Sequence, residues 1–122
     1  FHSLPELNWA GFYLLRGEDL VVGPFQGLPA CTRIPLGRGV CGTAAAQLRS
    51  VLVPDVAAFP GHIACDTGSR SKLVVPVLAA GRAAGVLDLD STRRGRFTAA
   101  DQALRERIAA LVAPFVHTLA DD

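Results

Sequence analysis

The sequence has no excess of charge of either sign. Twelve basic and eleven acidic side chains leave a formal net charge of +1 over 122 residues, whereas nucleic-acid binding depends on a concentrated positive surface. The one basic run, Arg93, Arg94 and Arg96, falls between an expected strand and an expected helix and is interpreted as a solvated loop. We therefore expect no nucleic-acid partner.

Long apolar runs are also missing. No stretch reaches the roughly 18 apolar residues that span a bilayer, and the first residues lack the basic and then apolar pattern of a signal peptide. These absences predict a soluble, cytoplasmic protein without a membrane partner. The composition, 50% hydrophobic and 19% charged, is typical of one globular domain.

Cysteines at metal-binding spacing are absent as well. Cys31, Cys41 and Cys65 form no Cys-x-x-Cys pair, and only His62 is near enough in sequence to complete a zinc site. An odd number of cysteines without a secretory signal argues against a disulfide framework. We therefore expect no metal, and thiols in a reducing compartment.

The three thiols are compatible with redox chemistry. A thiolate that attacks a sulfoxide or a peroxide becomes a sulfenic acid, which a second thiol captures as a disulfide. The alternative is that each cysteine is a small buried packing residue, the common fate of a free cysteine. Cys41, beside the Ala-rich segment, fits that alternative best, whereas Cys31 and Cys65 lie in segments that are too polar for a core.

Apolar and turn residues alternate in a pattern that predicts two hairpins. The expected strands are 9–15 with 20–25, 51–54, and 73–79 with 83–90. A short helix is expected over 40–47, and a polar loop from 55 to 71 separates the two halves.

A second helix is expected after Thr98, its N-cap, with Asp101 in the first turn. Apolar residues recur along it at helical spacing and are expected to pack on the sheet: Leu104, Ile108, Leu111, Phe115 and Leu119. Pro114 should kink this helix or leave its last turn irregular. Together the elements predict an α+β fold, with a central antiparallel sheet, helices on one face and binding loops on the other.

Two carboxylates stand out at the end of the last strand. Asp88 and Asp90 alternate with Leu87 and Leu89, so the aspartates should share one face of the strand. Like charges side by side need a cation or a shared proton, which suggests an ammonium-binding or acid-catalytic site. A solvated strand end is an equally weighted alternative.

The only tryptophan and the only tyrosine, Trp9 and Tyr13, lie four residues apart on one strand and so share a face. They are interpreted either as the wall of a pocket or as core aromatics, and periodicity alone favours the core.

Four segments carry a resemblance to a known family. They read NWAGFYLL over 8–15, GPFQGLPACTRIPLGRGVCGTAAA over 23–46, PDVAAFPGHIACDTGSRS over 54–71 and GVLDLDS over 85–91. In order and in cysteine spacing the sequence resembles the free methionine-R-sulfoxide reductases, which have a GAF-type fold, and the resemblance covers essentially the whole chain.

The resemblance implies reduction of free L-methionine-R-sulfoxide to methionine. It makes Cys65 the nucleophile that attacks the sulfoxide sulfur and Cys31 the resolving cysteine. Cys41 belongs to the same motif set, and whether it attacks, resolves or exchanges the disulfide stays open. The expected reductant is thioredoxin or another external dithiol, and no cofactor is implied.

The resemblance also implies roles for the paired residues. Trp9 and Tyr13 would hold the methyl and thioether end of the substrate. Asp88 and Asp90 would meet its ammonium group and help to protonate the sulfoxide oxygen. A methionine inside a peptide has no α-ammonium group and would leave both carboxylates unpaired.

The sequence departs from the family in two places. Lys72, the only lysine, stands where the family has a glutamate that binds the substrate; it opposes an ammonium ligand, or pairs internally with Asp88 or Asp90. The family also has helices before residue 8 that support dimerisation. We therefore expect one GAF domain over residues 1–122 that lacks those helices, either as a fragment or as a homodimer covering the exposed apolar surface.

Two other functions remain open. One is a GAF sensor module that binds a small ligand without catalysis. The other is a thiol redox sensor, in which an oxidant alone would join Cys31 and Cys65. The three cysteines and the paired aspartates favour the enzyme over both.

Overall fold

The computed structural model describes residues 7–27, 31–59 and 69–121. Within them the chain forms β1 (Leu7–Arg16), β2 (Asp19–Gly27), β3 (Arg33–Pro35), α1 (Gly39–Gln47), β4 (Val51–Val53), a 3₁₀ turn (Val56–Ala58), β5 (Ser71–Ala79), β6 (Arg82–Ser91) and α2 (Ala99–Asp121). The six strands form one sheet in the order β3-β2-β1-β6-β5-β4, and every neighbouring pair is antiparallel. The expected α+β fold with a central antiparallel sheet is confirmed.

Both expected hairpins are present. In the second, the backbone conformation of the turn matches the strands that it connects. Ala80 and Gly81, which join β5 to β6, both have positive φ angles, 53° and 75°. Two consecutive residues of this kind match the right-handed twist of the strands that they connect. The centre of the sheet, β1 beside β6 beside β5, is therefore built from the second hairpin and the first strand of the first hairpin.

Alternate residues of the central strands face opposite sides of the sheet. The α2-side core consists of Leu14, Leu73, Val75, Val77, Ala84, Leu87, Leu89, Phe97, Ala109 and Ala113. The α1-side core consists of Trp9, Tyr13, Leu20, Ile34, Val40, Cys41, Ala44, Ala45, Val53, Val56, Val74 and Val86. The long helix α2 thus covers one face as expected, whereas the short helix α1 lies on the face expected to carry only loops.

Helix α2 begins as its sequence predicts. The Thr98 hydroxyl accepts a hydrogen bond from the Asp101 backbone N–H at 3.2 Å, and the Asp101 carboxylate accepts one from the Thr98 N–H at 2.8 Å. This reciprocal capping satisfies two N–H groups of the first turn. The helix continues through Pro114 to Asp121.

The prediction of which α2 residues pack on the sheet was wrong for three of them and right for Ile108, which packs against the α2-side core. Leu111 and Phe115 are 75% and 73% exposed, and Leu104 is 43% exposed. Ile108 is half-buried, and the side chain of Leu119 lies outside the described ones.

Among the described side chains of α2, the buried ones are Arg105, Ala109 and Ala113, which recur every four residues. The two alanines belong to the α2-side core, and their small side chains let the helix approach β5 and β6 closely. Among the helices of the described ranges, none is both long and apolar enough to cross a membrane.

Candidate active site

The predicted site residues on strands lie in one row across the sheet. Asp90 of β6 pairs with Trp9 of β1 on one side and with Lys72 of β5 on the other. Asp88, two residues earlier, pairs with Gly11 and Val74. Since residues two apart share a face, the two aspartates, Lys72 and Trp9 all belong to the α1 side.

Asp88 and Asp90 are each only 2% exposed. Strand β6 continues past them to Ser91 and has a partner strand on both sides. The alternative of a solvated strand end is therefore wrong. Leu87 and Leu89 pack in the α2-side core, so the predicted alternation of faces is confirmed.

Lys72 supplies the cation that two buried carboxylates need. Its Nζ lies 3.0 Å from Oδ1 of Asp90 and 3.5 Å from Oδ2 of Asp88, and the residue is 7% exposed. The internal pairing that the sequence suggested is present, and it involves both aspartates at once.

The protonation of this cluster follows from burial and from its charges. Burial, followed by the neighbouring charge of Asp88, raises the pKa of Asp90 well above its usual value. Burial by itself would lower the pKa of Lys72, but Asp88 and Asp90 outweigh it and raise that pKa. The same buried cluster of charges therefore raises the pKa of both Lys72 and Asp90.

Cys41, at the start of α1, contacts the same cluster. It is fully buried, and its Sγ donates a hydrogen bond to Oδ2 of Asp88 at 3.4 Å. Burial, and then the charge of Asp88, raises the pKa of this thiol. A thiol held protonated is a poor nucleophile, so Cys41 is suited to orienting the Asp88 carboxylate. Its predicted burial is confirmed, although it packs beside a site.

The aromatic residues stack beside the carboxylates. The ring centroids of Trp9 and Tyr13 are 5.7 Å apart, and those of Trp9 and Phe25 are 5.3 Å apart. Gly11 makes room for this stack, because a Cβ there would lie 2.8 Å from the indole Cη2 and would overlap Phe25. Trp9 and Tyr13 are buried core residues, and they also border the acid cluster.

Tyr13 connects the stack to a second cysteine. Its hydroxyl donates a hydrogen bond to the backbone carbonyl of Cys31 at 3.0 Å, and burial raises the pKa of this phenol. Cys31 is disulfide-bonded, whereas Cys41 is a free thiol. Cys65 and His62 lie outside the described residues.

Three buried polar atoms have no hydrogen-bond partner within the described ranges: Oδ1 of Asn8, Nε1 of Trp9 and Oδ1 of Asp88. Buried polar groups are nearly always paired. Two of these atoms belong to predicted site residues, so the face between Trp9 and Asp88 has hydrogen-bonding capacity that a ligand or water can fill.

Sequence reasoning missed Asn8 and Phe25. Asn8 donates through Nδ2 to the Ser69 hydroxyl at 3.3 Å, and Phe25 forms the outer layer of the aromatic stack. Asn8 immediately precedes Trp9, which could have drawn attention to it, but the register that brings Phe25 beside Trp9 has no signal in the sequence.

No group of three or more His, Cys, Asp or Glu within 7–27, 31–59 and 69–121 could hold a metal ion.

The chain is similar to proteins of known family. A family model for the GAF domain matches residues 2–117. The free methionine-R-sulfoxide reductase of Escherichia coli is 54% identical over 112 residues, which cover 91% of this chain and 68% of that protein. The curated relatives that match are covered over 62% to 68% of their own length.

Solved structures of similar proteins point to the same family as the sequence matches. A GAF sensor protein from Burkholderia vietnamiensis superimposes with a TM-score of 0.90 at 52% identity, covering 99% of this chain and 77% of that one. The free methionine-R-sulfoxide reductase of Neisseria meningitidis, solved with its substrate, superimposes with a TM-score of 0.86 at 44% identity and covers 94% of this chain and 70% of that one. The chain therefore belongs to the GAF-domain family of free methionine-R-sulfoxide reductases.

Proposed function

We propose that this chain reduces free L-methionine-R-sulfoxide to methionine through its cysteine thiols. The state of the cysteines carries the proposal. Cys31 is disulfide-bonded, whereas Cys41 is a buried free thiol. A cysteine that can enter a disulfide, with a second thiol kept out of it by burial, is what the resolving role of Cys31 requires.

The proposed reaction has two steps on the protein. The Cys65 thiolate attacks the sulfoxide sulfur and the sulfoxide oxygen takes up a proton. The oxygen then transfers to the Cys65 sulfur as its bond to the substrate sulfur breaks, so that the thioether leaves and Cys65 becomes a sulfenic acid. The Cys31 thiol then attacks the Cys65 sulfur, so that the S–O bond breaks, water leaves and a disulfide forms. One sulfoxide and two thiols thereby give one thioether, one disulfide and one water.

The α1-side site would hold the substrate during this reaction. Trp9 and Tyr13 offer a stacked apolar wall for the methyl sulfoxide end. Asp90, whose raised pKa favours the protonated form, is suited to donate the proton to the sulfoxide oxygen. Cys41 would hold the Asp88 carboxylate in position through its hydrogen bond.

The disulfide must be reduced again for a second turnover. We propose an external dithiol, with thioredoxin as the physiological candidate, because thiol–disulfide exchange needs no cofactor on the chain itself. Such a reductant is available in the cytoplasm, which is the compartment that we propose.

The test is methionine formation from free L-methionine-R-sulfoxide with dithiothreitol as reductant, with the S-epimer as control. We expect turnover of the R-epimer only, loss of turnover in Cys65→Ser, and retained turnover in Cys41→Ser. A disulfide that forms with peroxide but never with sulfoxide would favour the redox sensor. Binding without any turnover would favour the GAF sensor.

A further inference from the structure

We propose that Lys72 determines the substrate class of the α1-side site. Because its own ammonium group is already held by Asp88 and Asp90, the site accepts methyl sulfoxides that carry a neutral N–H or O–H donor in place of the α-ammonium group. N-acylated methionine-R-sulfoxide is such a substrate. This inference rests on the proposed reductase function and deepens it.

The first argument is the position of the ammonium group. Nζ of Lys72 lies 3.0 Å from one aspartate and 3.5 Å from the other. Register places Lys72 directly opposite Asp90 on the neighbouring strand. A substrate ammonium group that used both carboxylates would have to share them with a fixed positive charge within a few ångströms, where a buried site screens poorly.

The second argument is the charge that remains. One cation already lies against both buried carboxylates, at 3.0 Å and 3.5 Å, so little negative charge is left for a second cation. A second cation would therefore be desolvated without a counter-ion, which is unfavourable. A neutral group avoids this loss.

The third argument is the hydrogen-bonding capacity that is left. Oδ1 of Asp88 is a buried acceptor without a hydrogen-bond partner among residues 7–27, 31–59 and 69–121. The amide N–H of an N-acylated substrate can satisfy this oxygen and adds no charge. Lys72 is thus a specificity-determining residue, and free methionine sulfoxide remains a substrate whose ammonium group gives it no advantage over a neutral donor.

The experiment compares free and N-acetyl L-methionine-R-sulfoxide as substrates of the whole chain and of a Lys72→Met variant. The unsubstituted chain should have kcat/KM values for the two sulfoxides within about tenfold of each other. Loss of the lysine should raise the ratio of free to N-acetylated about 10- to 100-fold, the usual strength of a hydrogen bond to a charged group. Arg82→Met, at the exposed first residue of β6, is the matched control and should leave the ratio unchanged.

Binding supplies a readout that does not depend on turnover. Calorimetric titration and thermal shift with L-methionine and N-acetyl-L-methionine should show the same change of preference, because a ligand stabilises the folded state that it binds. No turnover of either sulfoxide, together with the expected binding preference, would overturn the reductase and uphold the role of Lys72. A preference of more than 100-fold for the free amino acid in the unsubstituted chain, in kcat/KM or in affinity, would overturn the role of Lys72 whatever the variant does.

Discussion

The two faces of the sheet are built from the same strands and have opposite chemistry. On β5, Lys72 faces α1 and its neighbour Leu73 faces α2; on β6, Asp88 and Asp90 face α1 while Leu89 faces α2. The α2 side is apolar and is held by packing. The α1 side buries one lysine and two aspartates beside aromatic rings.

The difference shows where this fold tolerates unfavourable burial. Two carboxylates and an ammonium group must be desolvated on the α1 side, which seldom adds stability in comparison with apolar residues of similar size. Among the described residues of the α2 side, Arg105 is the one charged side chain that is buried. The α2 side thus supplies stability, and the α1 side uses part of it to hold reactive and binding groups in fixed positions.

The largest effect is expected from Lys72→Met. Removal of the cation leaves two buried carboxylates uncompensated, which should lower the free energy of unfolding by about 4 kcal/mol at neutral pH. Urea denaturation measures the change. A loss below about 1 kcal/mol would mean that the cluster is far better hydrated than its burial indicates.

Leu73→Ala is the matched substitution on the opposite face. Leu73 is fully buried in the α2-side core, and its truncation should cost about 3 kcal/mol through lost burial and a cavity. The relative kcat/KM for free and N-acetylated substrate should stay as it was. If that ratio changed as much as in Lys72→Met, substrate selection would not depend on the α1 side alone.

Asp90→Asn should change how stability depends on pH. The folded-state pKa of Asp90 is raised, so between the unfolded value of about 3.9 and the folded value the native state holds a proton that the unfolded state has released. Stability therefore falls as pH rises through this window, by up to about 1.4 kcal/mol per pH unit. The variant should lack this fall.

Asp19→Asn is the control for that measurement. Asp19 is only half-buried and pairs with an exposed arginine. Unfolding free energies are compared from pH 4 to pH 8 for the two variants and the parent chain. A difference between parent and Asp90→Asn that does not vary with pH would contradict the raised pKa.

The smallest effect is expected from Arg33→Ala. Arg33 and Asp19 form an ion pair at 2.7 Å, shorter than either contact of Lys72, but their side chains are 59% and 34% exposed. Solvent screening limits such a pair to about 0.5 kcal/mol. Denaturation at low and high salt checks the value; a loss as large as that for Lys72→Met would make distance rather than burial the controlling variable.

Much of the sheet could be predicted from the sequence. Apolar alternation and turn residues located both hairpins, and the alternation of Asp88 and Asp90 with leucines assigned them to one face. Strand β3 could not be predicted in this way, because three residues that end in Pro35 are too few to show an alternation of apolar and polar side chains. It exists because Ile34 pairs with Leu20 of β2.

The packing of α2 and the details of the site depend on tertiary structure. Periodicity favoured the stripe of Leu111 and Phe115, but close approach to the sheet selected the alanines at 109 and 113. Likewise, the sequence shows a lone lysine 16 positions before Asp88. Only the three-dimensional structure shows that this lysine forms ion pairs with both aspartates and not with one of them alone.

The proposed thiol chemistry is tested most directly by a single turnover without external reductant. Fully reduced protein is mixed with methionine-R-sulfoxide, in free and in N-acetylated form, and the thioether product and the disulfides are quantified by mass spectrometry. We expect one thioether per chain, a new disulfide between Cys31 and Cys65, and Cys41 still a thiol. No thioether, or a disulfide that forms without it, would contradict the proposed reaction.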